Sequence, residues 1–329
     1  MTHKASYLLV TLLLTSLILL PASYAVRDLQ AKFLPPENEV LLIVGQDRDA
    51  VKNYIEKVGV VPAGFTFYTS IQKMDGLREK ADYGGGVQHA SYLLDRYPFE
   101  AIQIGLYMVG ALDEVASGKY DKNIDRLGKW IKDSGKLVFL RIGYEFDSPD
   151  NHYDPVKYVA AYRHIVDHLR LMRVKNVAFV WHSYASESTH PFEKWYPGDR
   201  YVDWMAITYF NPYNTDNMDK VVKFSRLKNK PMMIAEAAPI KMGYEGEALW
   251  KKWYAFVFDY IKTRDIKAFC YINCNWDQLP MFTKKQWGDS RIESDKTVRL
   301  KWLKTIGEDR FINHSLRLRE FASEAKLNL

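Results

Sequence analysis

The chain has 329 residues, 47% hydrophobic and 14% aromatic, a composition that supplies a large buried core and excludes a disordered protein. Its 46 basic and 40 acidic residues are interleaved throughout, so a formal net charge of +6 describes a solvated surface. No basic block interleaved with aromatics points to nucleic acid.

The first segment carries Lys4, an apolar run over residues 7–20, then Pro21 and the sequence ASYA. With small residues at Ser23 and Ala25, it reads as a secretory signal peptide, residues 1–25, cleaved after Ala25. The run is short for a membrane span, which needs roughly 20 residues. A retained anchor is the alternative. Cleavage makes the protein secreted or periplasmic, with no membrane association afterwards.

Beyond the leader, residues 26–329 alternate eight times between short apolar runs and amphipathic segments. Strands are expected at 40–45, 64–69, 100–106, 137–145, 177–182, 202–210, 231–236 and 267–274. Between them lie helical patterns such as KNIDRLGKWIKDSG and VKYVAAYRHIVDHLRLM. In the second of these, Tyr158, Tyr162, Ile165, Val166 and Leu169 recur at the spacing of one buried helical face. Pro155 suits a first helical turn, and Gly135 suits the position just past a helix end. Eight strand–helix units with no linker between them predict an α/β fold, a single (β/α)8 TIM barrel. An open doubly wound sheet is the alternative, because sequence does not reveal strand closure.

Other motifs are weaker. Residues 84–86 are three glycines without the Lys and Ser/Thr of a phosphate loop, read as a flexible connection into a helix beginning near Val87. Cys270 and Cys274, on one expected strand, would stand roughly 13 Å apart at about 3.3 Å per residue, beyond disulfide reach. They are expected as free, buried thiols. Asn313-His314-Ser315 is a formal glycosylation sequon, meaningful in a eukaryotic source. The final SLRLREFASEAKLNL reads as an amphipathic helix that packs on the barrel.

Two glutamates stand out. Glu145 closes the fourth expected strand in KLVFLRIGYEFD, and Glu236 closes the seventh in KPMMIAEAAP. A carboxylate ending an apolar strand is costly to bury unless it is paired or has work to do. An ion pair with a neighbouring base explains either one alone. Two of them at the carboxyl ends of barrel strands, where such barrels hold their active sites, form the pair of facing carboxyls that glycosidic bond cleavage requires. Alternation along the fourth strand would put Arg141, Gly143 and Glu145 on one face, with the glycine leaving room for a sugar ring. Arg141, if it points inward, must be paired; it either anchors the barrel or helps to keep Glu236 ionised.

These segments together resemble glycoside hydrolase family 26, within the large clan of retaining (β/α)8 glycosidases. The likeness covers most of the mature chain. FLRIGYEFD resembles the family's fourth strand, where an Arg precedes a His-Glu pair whose Glu is the acid/base. KWYPGDRYVDWMAITYF resembles the stretch before and along the sixth strand, and KPMMIAEAAP the seventh, whose Glu is the nucleophile. The resemblance implies Glu145 as acid/base and Glu236 as nucleophile. It also implies Tyr209 as a phenol within about 2.6–3.2 Å of Glu236. Without it, Tyr209 is a core aromatic. Trp276, just past the eighth strand, is a candidate stacking platform with a ring face open to the cleft. Trp181 and His182, ending the fifth strand, are further candidates for substrate binding. Two departures stand beside the likeness. Tyr144 occupies the place of the family's His, and FDSPDNHYDP replaces its Asn-Gly and tryptophan-rich run. Both positions bear on substrate choice rather than on chemistry.

The function implied is a secreted retaining glycoside hydrolase, an endo-β-glycanase resembling the β-mannanases, acting on a polysaccharide or oligosaccharide by double displacement. A non-catalytic glycan-binding barrel, an accessory protein of exopolysaccharide export, and a transglycosylase using the same site are the alternatives. No metal or organic cofactor is implied.

Overall fold

The structure, a computed structural model, describes residues 31–185, 191–213, 215–327 and 329. The expected signal peptide lies outside them. Eight parallel strands organise the rest: β1 (Val40–Gly45), β2 (Gly64–Ser70), β3 (Ala101–Tyr107), β4 (Leu137–Ile142), β5 (Val177–Ser183), β6 (Trp204–Tyr209), β7 (Met232–Ala237) and β8 (Ile266–Ile272). Each pairs with the next, and β8 returns to β1 with Leu41 opposite Ala268 and Gly45 opposite Ile272. The sheet therefore closes, which decides for the (β/α)8 barrel over the open sheet.

Alternating side chains divide the core into two shells. Leu137 and Phe139 of β4, Ala178 and Val180 of β5, and Trp204 and Ala206 of β6 point into the barrel. Val138, Leu140, Phe179, Met205 and Ile207 point outward onto the helices. The helix Pro155–Leu171 begins with Asp154 capping the Lys157 amide and a proline in its first turn, and it buries Tyr158, Tyr162, Ile165, Val166 and Leu169 as its spacing predicts.

The amino end of the barrel is plugged. The helix Leu316–Leu327 buries Leu318, Phe321 and Ala322 in the inner shell beside Phe33, whose ring lies 5.7 Å from Phe139. The indole of Trp204 donates to the Lys32 carbonyl at 2.6 Å, and the Lys32 ammonium donates to the Val177 carbonyl at 2.9 Å. That leaves the carboxyl end for a ligand. The amphipathic C-terminal helix packs on the barrel as expected, and Cys270 and Cys274 are free and buried.

Two local expectations need correction. The three glycines lead into no helix: they sit at the turn of an antiparallel ribbon pairing Ala81–Asp82 with Val87–Gln88, and the helix starts at Ala90. A side chain at Gly86 would meet the Asp47 carboxyl within 2.6 Å, so close approach is what requires glycine there. The fourth strand ends at Ile142, three residues before Glu145.

Because Leu318 is fully buried in the plug, replacing it with Ala should lower unfolding stability by about 2–5 kcal/mol in urea titrations. A loss below about 0.5 kcal/mol would show that the C-terminal helix is not part of the core.

Candidate active site

Strict alternation would not bring Glu236 inside. Along β7, Met233 and Ala235 belong to the inner shell and Ile234 and Ala237 to the outer one. Register changes on both flanks reveal the reason. Toward β6, Ile207 faces Ile234 and Thr208 faces Glu236; toward β8, Phe269 faces Ile234 and Tyr271 faces Ala237. β7 thus carries one extra residue, a bulge that turns Glu236 inward next to Ala235. There its Oε1 accepts from the Arg141 guanidinium in a buried ion pair.

Glu145 arrives by a different route. After β4 the backbone turns through Gly143, at φ +56°, and Glu145 itself has φ +49°. A left-handed non-glycine residue costs of order 1–3 kcal/mol and persists only where its surroundings hold it. Here the Asn151 amide donates to the carbonyls of Tyr144 at 3.0 Å and Glu145 at 2.9 Å, and the Ser148 amide donates to Glu145 at 2.9 Å. Asp147 accepts from the Ser183 hydroxyl at 2.7 Å and the Tyr184 amide at 2.6 Å, tying the turn to β5. Gly143 does not leave room for a sugar as expected. A Cβ there would fall 2.7 Å from Met108 and 2.8 Å from Tyr158, so it makes room for the layer beneath the helices.

The turn delivers the half-buried Glu145 onto β6, where Thr208 Oγ1 donates to its Oε1 at 2.6 Å. Thr208 in turn lies 3.0 Å from His182 Nε2, and His182 Nδ1 lies 3.4 Å from Arg141 Nη1. The second terminal nitrogen of Arg141 donates to Thr66 at 3.3 Å, and the guanidinium sits 5.0 and 5.3 Å from the rings of Tyr68 and Tyr144. A chain of hydrogen bonds therefore joins the two glutamates through three buried side chains. Burial and the nearby charge of Glu236 push the Glu145 carboxyl up to about 8, against the opposing effects of Thr208 and Arg141. Burial and the Arg141 charge hold the His182 imidazole well below its usual range, hence neutral.

Several expected contacts fall elsewhere. Tyr209 does not touch Glu236; it points outward, with its ring 6.0 Å from Trp253 and 5.3 Å from Tyr260, because inward parity on β6 belongs to Thr208. Trp276 offers no open ring face: it is 1% exposed, donates to Ser290 Oγ at 2.9 Å and is enclosed by Phe210, Phe282 and Trp287. Trp181 faces the helices, stacked 4.4 Å from Phe146, so of Trp181 and His182 only the histidine enters the barrel. Arg141 and His182 are inside but fully buried, so neither presents surface to a ligand at the mouth as the substrate-binding expectation requires. Tyr144 is half-buried at the mouth, edge-on to Tyr68 at 5.2 Å, where a ligand can meet it. Thr208, Thr66, Tyr68 and Asn151 were not anticipated. Period-two parity on β6 is the one signal that could have exposed Thr208. Among the described residues, Asp121, His164 and His168 could group around a cation, but they belong to the outer helices and already pair with one another, His164 Nε2 lying 2.6 Å from Asp121.

Residues 148–244 match the profile of Glycosyl hydrolase family 26. The chain is 32% identical over 311 residues to the β-1,3-xylanase TXYA of a Vibrio species, covering 86% of this chain and 68% of that protein. A β-1,3-xylanase from an Alcaligenes species is 31% identical over 322 residues, covering 89% and 68%. Among solved structures, a family 26 β-mannanase from Bacteroides ovatus superposes with a TM-score of 0.63 at 14% identity, covering 85% of this chain and 92% of that one.

Replacing Arg141 with Met strands the Glu236 charge and should cost about 3–5 kcal/mol of stability in urea titrations. Tyr209→Phe should cost less than about 1 kcal/mol. Equal losses would contradict this assignment of the Glu236 partner.

Proposed function

The chain belongs to glycosyl hydrolase family 26 and is a glycoside hydrolase, and from that premise we propose that it is an exported, retaining endo-β-glycanase whose substrate is β-1,3-linked xylan. The observation that carries the chemistry is the pair of carboxyls in unequal settings, one ion-paired with Arg141 and one raised by burial and by its neighbour's charge. The substrate rests on the two β-1,3-xylanases, which are far more similar in sequence than the mannanase, whose likeness carries the fold alone. Tyr144 in place of the family's His is in keeping with a substrate other than mannan. Export rests on the leader sequence.

In this reading the ion-paired Glu236 is the nucleophile and Glu145 the acid. Glu145 donates its proton to the leaving glycosidic oxygen as Glu236 attacks the anomeric carbon, forming an ester with inverted configuration. Esterification removes the Glu236 charge. One cause of the raised Glu145 pKa then disappears while Arg141 stays, so the carboxyl gives up a proton more readily and becomes the base the second step needs. It takes a proton from water, the hydroxide attacks, and the second inversion restores the starting configuration with both carboxyls returned to their first state.

The test is hydrolysis of β-1,3-xylan, β-1,4-xylan, mixed-linkage glucan and mannan, with the product anomer followed by NMR. β-1,3-Xylan should be cleaved fastest, with the β anomer appearing first; an α product would establish inversion, and preference for mannan would displace the substrate assignment. Since the first step needs Glu145 protonated, kcat/KM should fall as pH rises through about 8. Glu236→Ala should lose essentially all turnover. Glu145→Ala should still release a good leaving group and regain turnover with azide, giving a β-glycosyl azide. Full activity in both variants would show that neither carboxyl carries the reaction and would overturn the assignment of Glu145 and Glu236.

A further inference from the structure

The hydrogen bonds between Arg141 and Glu145 can run in only one direction. A guanidinium has donors and no acceptor, so the His182 nitrogen facing it, Nδ1 at 3.4 Å, must be bare. A proton on that nitrogen would point at a fixed positive charge. His182 is fully buried in the barrel interior, so its single proton lies on Nε2 and is donated to Thr208 Oγ1 at 3.0 Å. Thr208 thereby uses its hydroxyl as an acceptor. Its own proton has one remaining partner, Glu145 Oε1, at 2.6 Å.

We infer that Arg141, His182 and Thr208 form a directional relay that reserves Oε1 of Glu145 as an acceptor and confines the transferable proton to Oε2. This rests on the reading of Glu145 as acid/base. In the first step the Oε2–H bond breaks and the proton passes to the leaving oxygen, leaving the carboxylate with Oε1 still held by Thr208. In the second step Oε2 takes a proton from water, and no proton moves along the relay. Thr208 and His182 are positioning residues, because neither touches the reacting atoms. Arg141 thus serves both carboxyls, pairing with Glu236 directly and setting the proton position on Glu145 through two neutral side chains. The titratable and charged groups facing Glu145 are Glu236 from β7, Arg141 from β4, His182 from β5, and Tyr144, Asp147 and Tyr153 from the segment following β4.

Nitrogen-15 NMR of histidine-labelled enzyme should find His182 as the Nε2–H tautomer, uncharged from pH 5 to 9. An Nδ1–H ring or an imidazolium would overturn the relay without reference to activity. Thr208→Val removes a hydrogen bond that favours the ionised carboxyl, so the alkaline limb of kcat/KM should move up by about one pH unit, the size of one charge-assisted bond. Thr208→Ser should restore it. His182→Gln, whose amide can still donate to Thr208, should keep the limb in place, whereas His182→Leu should move it. A limb unmoved in Thr208→Val while Glu145→Ala fails on xylan would defeat the relay alone. Full activity of Glu145→Ala would defeat the acid/base reading instead.

Discussion

A guanidinium buried in the middle of a barrel is the constraint on which the rest of this molecule depends. Arg141 is fully buried, and a charge removed from water to that degree must be paired and hydrogen-bonded or it destabilises the fold by several kcal/mol. Each neighbour answers that requirement. Glu236 supplies the countercharge, Thr66 and His182 take hydrogen bonds, and Tyr68 and Tyr144 place ring faces nearby. Thr66 also accepts from Gln103, whose amide donates to the Ala235 carbonyl at 2.9 Å, so the polar layer reaches the bulged stretch of β7. The bulge is how that strand brings a carboxylate to the arginine.

Around this layer the barrel is graded along its axis. Its amino end is filled with Phe33, Phe139, Trp204 and the C-terminal helix, while its carboxyl end carries the charged and hydroxyl groups. The hydrophobic plug supplies stability, and the polar layer sits where the loops can bring a ligand. Such a division lets the strained turn at Glu145 exist, because the surrounding scaffold holds it through Asn151 and Asp147 rather than through its own preference.

The unequal settings of the two glutamates follow from geometry and not from residue type. Both are the same side chain on the same barrel mouth. Glu236 lies against a fixed cation, whereas Glu145 meets a neutral hydroxyl and the field of another carboxylate. Burial then amplifies that difference, since charges interact more strongly away from water.

Much of this was legible in the sequence. Eight apolar runs separated by amphipathic segments specify strand–helix units, because side-chain periodicity is a local property of the chain. The two glutamates were visible as carboxylates ending such runs, and the free cysteines followed from rise per residue. Parity on β5 and β6 was also available: alternation admits only one of Trp181 and His182, and only one of Thr208 and Tyr209, to the interior. What the sequence could not specify is anything that breaks local periodicity. The bulge that rotates Glu236 inward depends on register with β6 and β8, the left-handed turn at Glu145 on hydrogen bonds from Asn151, and the enclosure of Trp276 on Phe282 and Trp287. Local pattern determined which residues could form a barrel and carry acid chemistry. Only tertiary contact decided which way they face, because side-chain direction at a strand end is set by neighbouring strands and loops that are distant in the chain.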